Sequence, residues 1–266
     1  VATTADSHCA LTCMAAERGA RYVLVEKPMA VSLAECDRMI EVCHRHGTKL
    51  AVNHQMRFME QYTEPKRLFA TEAYGGLKSM TVVAGNFGFS MNGSHYFEAF
   101  RFLTDEYTEE VAAWFSPELV TNPRGAQFQD RAGSIRAVTS GGKRLYMEIG
   151  ADQGHGLLAI YACRNGMITV NERTGEMLSS VREEQYRAFP TTRIGLPSMD
   201  NLRRIQPCEV IDTSATVIRA LLSDVNSVSG EDGRRAVELL VAAYQSAELG
   251  SVPVRLDGKL DRSRVF

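Results

Sequence analysis

Residues 20–47 read ARYVLVEKPMAVSLAECDRMIEVCHRHG, and this stretch decides the fold. Tyr22-Val23-Leu24-Val25 is a short continuous apolar run, the pattern of a strand covered on both faces. Ser32 stands three residues before Glu35, the spacing of a capping box, and opens a helix that Gly47 closes. Between strand and helix lies Glu26-Lys27-Pro28, an acid, a base and a rigid ring at the carboxyl end of the strand. In open parallel sheets that end is where ligands bind.

The flanking residues repeat the alternation. Val1 to Thr4 reads as the end of a strand, and Asp6 or Ser7 caps a helix that runs to about Arg18 and stops at Gly19. Strand 21–25, helix 33–46 and strand 48–52 follow, which predicts a parallel, doubly wound sheet with right-handed crossovers. Three strands make only part of such a sheet, so its earlier strands are expected upstream of Val1. After residue 56 the pattern changes. A helical stretch to about Glu72, a strand over 77–87 and a helix over 93–103 precede several strand-like segments between 109 and 190. Gly141-Gly142 and Asn165-Gly166 mark hairpin turns, so this sheet is expected to be mostly antiparallel. Helices near 213–224 and 231–249 close the chain, the second announced by Ser229 three residues before Asp232.

Bulk properties exclude several classes. The chain has 266 residues, 44% hydrophobic and 23% charged, with a formal charge of −2, so electrostatics supply no case for nucleic acid or an anionic membrane. No apolar run reaches the roughly 18 residues of a spanning helix, and a cytoplasmic setting is expected. Cys9, Cys13, Cys36, Cys43, Cys163 and Cys208 form no Cys-x-x-Cys pair, and they read as reduced thiols with no metal and no disulfide. His44, His46, His54 and His155 have no partner pattern and read as ordinary.

Four stretches carry a family resemblance: VATTADSHCALTCMAAERGARYVLVEKPMAVSLAEC (1–36), NHQMRF (53–58), NGSHYFEAFRFLTD (92–105) and SGEDGRRAVELLVAAYQSAELGSVPVRL (229–256). Together they resemble the glucose–fructose oxidoreductase, inositol dehydrogenase and rhizopine catabolism (Gfo/Idh/MocA) family. The resemblance implies an α/β fold: part of a Rossmann-type dinucleotide-binding domain over 1–55, then an α+β substrate and oligomerisation domain over 56–266. It implies an oxidoreductase that uses NAD or NADP on a sugar, an inositol or a related polyol, and that assembles as a homo-oligomer through the second domain's sheet. Lys27 and His95 would be catalytic. Thr3, Thr4, His8, Glu26 and Lys27 would line the cofactor, and Lys27, Arg57, Asn92, His95 and Glu98 the substrate.

The chemistry suits those residue types. Oxidising a carbinol removes a hydride from carbon and a proton from oxygen. An imidazole can take the proton while an ammonium steadies the oxygen. Two departures stand out. The family places Asp four residues before the histidine and three after, where this chain has Met91 and Glu98. Met91 cannot orient an imidazole, and the neighbouring Asn92 is the candidate to take over substrate contacts. No Gly-x-Gly-x-x-Gly occurs in the 266 residues. The phosphate loop is therefore expected upstream, and these residues alone are expected to hold a dinucleotide weakly. Both departures also fit another class of protein, a non-catalytic sugar-binding or assembly subunit.

Overall fold

Tyr22–Val25 (β1) and Lys49–Val52 (β2) pair in parallel, with Val25 opposite Val52. The computed structural model describes every residue except 122–124, 126–129, 151, 155, 207 and 209, together with the side chain of Val210; His155 therefore lies outside the described residues. Val1 lies along the other edge of β1: its ammonium donates to the Leu24 carbonyl at 2.6 Å, and the Glu26 amide donates to the Val1 carbonyl at 3.0 Å. The strand end expected at Val1 thus keeps the hydrogen bonds of a parallel neighbour.

Two helices cover this sheet. Ala5–Glu17 (α1) starts earlier than the expected cap at Asp6 or Ser7, with Thr4 as N-cap and no side-chain cap bond. Ser7 instead donates back to the Thr4 carbonyl at 2.9 Å. Leu33–Arg45 (α2) has its expected cap, Ser32 accepting from the Glu35 amide at 3.3 Å. The Glu35 carboxylate faces the Val31 amide at 3.4 Å, so only half of the capping box forms. Cys9, Cys13, Cys36 and Cys43 are buried free thiols on these two helices. Burial pushes the Cys9 thiol up to about 12 and the Cys43 thiol to about 11, which makes them packing groups rather than nucleophiles.

Beyond β2, a short 3-10 turn (Gln55–Phe58) leads to Glu60–Phe69 (α3), Leu77–Gly85 (β3), a single π-helical turn (Phe89–Gly93) and Ser94–Thr104 (α4). Strands β4 (Thr108–Val120), β5 (Asp130–Thr139), β6 (Arg144–Gly150), β7 (Leu158–Cys163), β8 (Gly166–Asn171), β9 (Glu176–Arg182) and β10 (Ser198–Arg204) follow. Helices α5 (Val210–Ser223) and α6 (Gly230–Glu248) and the short β11 (Val254–Arg255) end the chain. The described strands of this half form one sheet in the order β10-β9-β8-β7-β3-β6-β5-β4-β11. Only β3 and β6 pair in parallel. Both expected hairpins are present, β5–β6 at Gly141-Gly142 and β7–β8 at Asn165-Gly166. Strand β10 has no counterpart in the sequence reading. It is exposed along most of its length, so its residues show no alternation.

Helix α6 joins the two sheets. Its start carries a complete capping box between Ser229 and Asp232, and Val228 accepts from the Val52 amide at 2.9 Å. Gly233 lies so close to β2 that a Cβ there would stand 2.3 Å from Val52 Cγ2, a contact that excludes any larger residue. The same helix buries Val237, Leu240 and Val241 in a core shared with Val52, Met29 and Phe100. On its far side α4 is pinned by an acid: the Tyr62 and Tyr96 hydroxyls donate to the Glu172 carboxylate, whose burial pushes its pKa up to about 7.

The sheet face turned from the helices leaves Trp114, Met167, Leu178 and Leu202 exposed, from 41% to 68%. Apolar residues spread over one broad face mark an association surface. Self-association is expected, and Leu202→Glu with Leu178→Glu should lower the molar mass in light scattering without lowering the melting temperature. A wild-type chain that stays monomeric across a wide concentration range would contradict it.

Candidate active site

Lys27 follows β1 directly, and its side chain crosses to the turn ahead of α4. Its ammonium donates to the Met91 carbonyl at 2.6 Å and lies 3.4 Å from Asn92 Oδ1, and the residue is only 9% exposed. His95 is in the first turn of α4. The ring of His54, just past β2, stands edge-on to the His95 ring at 5.5 Å between centroids. Three elements distant in sequence thus bring an ammonium and two imidazoles to one place.

The two rings are poised rather than satisfied. Both ring nitrogens of His54 and Nδ1 of His95 are buried with no hydrogen-bond partner among the described residues. Burial, followed by the Lys27 charge, pushes the His54 pKa down to about 3. The same two causes, in the same order, hold His95 well below its usual range. Both imidazoles are therefore neutral at neutral pH, each with one N–H and one lone pair. His54 read as ordinary in the sequence. Its only signal was its place in NHQMRF, and its partner lies 41 residues away on another element.

Glu26, Thr3 and Thr4 lie at the neighbouring edge. Asn53 donates to Glu26 Oε1 at 2.7 Å, and Asn53 Oδ1 is buried with no partner among the described residues. The Thr3 and Ser7 hydroxyls are 2.6 Å apart at the head of α1. His8 departs from its expected place in the cofactor lining. It is fully buried, with Nδ1 3.0 Å from the Pro28 carbonyl and Nε2 3.2 Å from the Thr3 carbonyl. It ties the loop after Val1 to the Glu-Lys-Pro edge from below and has no surface to offer a ligand.

Arg57 and Glu98, expected at the substrate, are spent on each other. The Glu98 carboxylate is buried between the Arg57 and Arg101 guanidinium groups, the latter at 2.9 Å. Arg101 also reaches Asp232 at 3.0 Å, and Arg57 lies over the Phe102 ring and donates to the Asn226 carbonyl at 3.3 Å. Buried ion pairs are costly to half-remove, because the surviving charge is left without a partner. This cluster clamps the 3-10 turn, α4 and the start of α6 beneath the histidines.

Known proteins resemble this chain over its first residues and in its fold. Residues 1–54 match the GFO_IDH_MocA group, described as an oxidoreductase family with an NAD-binding Rossmann fold. That match covers the first 54 of the 266 residues. A 58-residue segment is 40% identical to a 1-carboxy-3-chloro-3,4-dihydroxycyclohexa-1,5-diene dehydrogenase of Comamonas testosteroni, covering 22% of this chain and 15% of that relative's length. Two solved structures share the fold seen here. An oxidoreductase of Agrobacterium radiobacter in complex with NAD+, L-tartaric acid and magnesium has a TM-score of 0.77 at 18% identity, over 97% of this chain and 79% of that one. An aldose–aldose oxidoreductase of Caulobacter crescentus complexed with glycerol has a TM-score of 0.73 at 20% identity, over 95% and 77%. The matched segment ends at the buried histidine of NHQMRF.

Two measurements check the site's energetics. Glu98→Ala should cost about 3–5 kcal/mol of unfolding free energy, read from denaturant midpoints, because it removes the buried carboxylate that Arg57 and Arg101 share and leaves Asp232 alone to match both. His54 titrates near 6.5 when unfolded and near about 3 when folded, so stability is full above 6.5 and is lost as pH falls toward 3. His54→Asn should flatten that acid-side loss, as followed by urea unfolding at a series of pH values.

Proposed function

We propose that this chain is an NAD(P)-dependent oxidoreductase that transfers a hydride between a nicotinamide cofactor and a sugar, an inositol or a related polyol. The observation that carries the reading is the cluster of the Lys27 ammonium with the His54 and His95 rings, in which both ring nitrogens of His54 and Nδ1 of His95 have no hydrogen-bond partner among the described residues. The names of the similar proteins support it, since they include a dihydroxycyclohexadiene dehydrogenase and an aldose–aldose oxidoreductase. In the same reading the cofactor side spans residues 1–55 and the substrate side 56–266.

NAD or NADP, when bound, supplies the hydride acceptor or donor. Thr3, Thr4, Glu26, Lys27 and Asn53 would hold its nicotinamide half, and the orphaned Asn53 Oδ1 is an acceptor suited to an amide donor. In the oxidative direction the O–H bond of the carbinol breaks and the His95 imidazole takes the proton. Lys27 donates to the same oxygen as it gains charge, and it is already aimed by Met91 and Asn92. The positive charge that depresses the imidazole's basicity is thus the one that lowers the cost of the developing alkoxide. His54, only 1% exposed, packs edge-on against the His95 ring and helps to place it.

The test is the change of absorbance on NAD+ or NADP+ reduction with a panel of aldoses, inositols and linear polyols. Lys27→Met and His95→Asn should each lower kcat by about 10²–10⁴ while the fold stays intact by circular dichroism. Wild-type turnover by Lys27→Met would refute the assignment. Sugar binding without turnover by the wild type would point to the non-catalytic subunit instead.

A further inference from the structure

The turn that receives Lys27 cannot cap itself. Gly88 is its N-cap and has no side chain, so the Ser90 and Met91 amides belong to the orphan donors that every helix start leaves behind. A carboxylate from another element takes both. Asp130, at the start of β5, accepts from the Ser90 amide through Oδ1 and from the Met91 amide through Oδ2, each at 2.8 Å. Its Oδ1 also accepts from the Arg131 amide at 2.9 Å. Asp130 is 1% exposed. Gly88 is its counterpart, since a Cβ there would stand 2.1 Å from Asp130 Cγ. The next peptide, Met91–Asn92, carries the Met91 carbonyl, which accepts from the Lys27 ammonium at 2.6 Å, while its own amide donates to the Gly88 carbonyl at 3.2 Å.

We propose that Asp130 is a positioning residue for Lys27: it fixes the Ser90–Met91 backbone so that the Met91 carbonyl points at the ammonium. The significance for catalysis rests on the role proposed for Lys27; the positioning itself rests on geometry alone. Charge-assisted bonds to two successive amides fix the Ser90–Met91 peptide, and the bond from the Asn92 amide to the Gly88 carbonyl then sets the peptide after it, which bears the Met91 carbonyl. Burial raises the Asp130 pKa and the backbone donors oppose that rise, so the amides favour the ionised form that the clamp requires. The other groups near this junction are set. Arg131 donates to the Pro117 carbonyl at 3.1 Å, the Tyr244 and Ser90 hydroxyls are 3.3 Å apart, and His54 and His95 both feel the Lys27 charge. The side chain of Met91 plays no part in the clamp.

The experiment reads the ionisation of Lys27 directly and needs no substrate. An amine-reactive reagent is applied over a pH series, and Lys27 modification is quantified by peptide mass spectrometry in the wild type, Asp130→Asn, Asp130→Ala, Gly88→Ala and Met91→Leu. Asp130→Asn sets an amide donor against a backbone donor, and Gly88→Ala displaces the carboxylate without deleting it. These variants and Asp130→Ala should shift the midpoint of Lys27 modification down by about one pH unit, the size expected when an ammonium loses a charge-assisted bond. Met91→Leu should leave the midpoint in place. General destabilisation changes the extent of labelling but not its midpoint, so melting temperatures recorded in parallel separate the two effects. An unchanged midpoint in all folded Asp130 and Gly88 variants, or an equal shift in Met91→Leu, would overturn the proposal. A shifted midpoint with no nucleotide-linked turnover by the wild type would remove the proposed function and leave the positioning role standing.

Discussion

The hydrogen bond from the Lys27 ammonium to the Met91 carbonyl joins the end of a parallel strand to a turn 64 residues further along the chain. An ammonium only 9% exposed is held there at a desolvation cost that strong acceptors must offset. That requirement sets the surroundings. The carbonyl must be aimed, so the π-helical turn is anchored from β5. The turn must then lead into a helix, so α4 begins at once and places His95 in its first turn.

The charges beneath the site follow a second constraint. Arg57 and Arg101 would add two more positive charges to the one that Lys27 already places near His54. Glu98 and Asp232 match them, and among the charges acting on His54 the Lys27 charge ranks first. The imidazoles remain neutral because burial and a single nearby ammonium both oppose a second proton. Neutral rings next to an ammonium suit proton removal from a hydroxyl, since the three groups can share one oxygen without repulsion between cations.

Helix α6 makes this arrangement rigid. It packs on α2 and β2 at one end and on α4 and β4 along its length, so both halves of the site rest on one element. The close approach at Gly233 shows how tightly the parallel strands are held against it. Active-site geometry spread over β1, β2 and α4 needs such a shared support, because a small shift of either sheet would part Lys27 from its acceptor.

Much was legible in the residues themselves because the signals were local. The apolar run at Tyr22–Val25, the Ser32 and Ser229 caps, the glycine turns and the Glu-Lys-Pro edge each act within a few positions, so periodicity and capping chemistry placed them. Strand β10 escaped because an exposed strand has no buried face to impose alternation. The site was legible only in part. Lys27 and His95 stood out by resemblance, but His54 became a partner only when the end of β2 met α4. Arg57 and Glu98 turned from substrate contacts into a buried pair. Asp130 carried no sequence signal, because a carboxylate that caps a helix 39 residues away leaves no spacing to read. By itself the sequence determined which segments become strands and helices and which edge bears the lysine. Tertiary structure alone decided which buried charges neutralise one another and which polar groups remain for chemistry, since desolvation and pairing depend on neighbours brought together from distant parts of the chain.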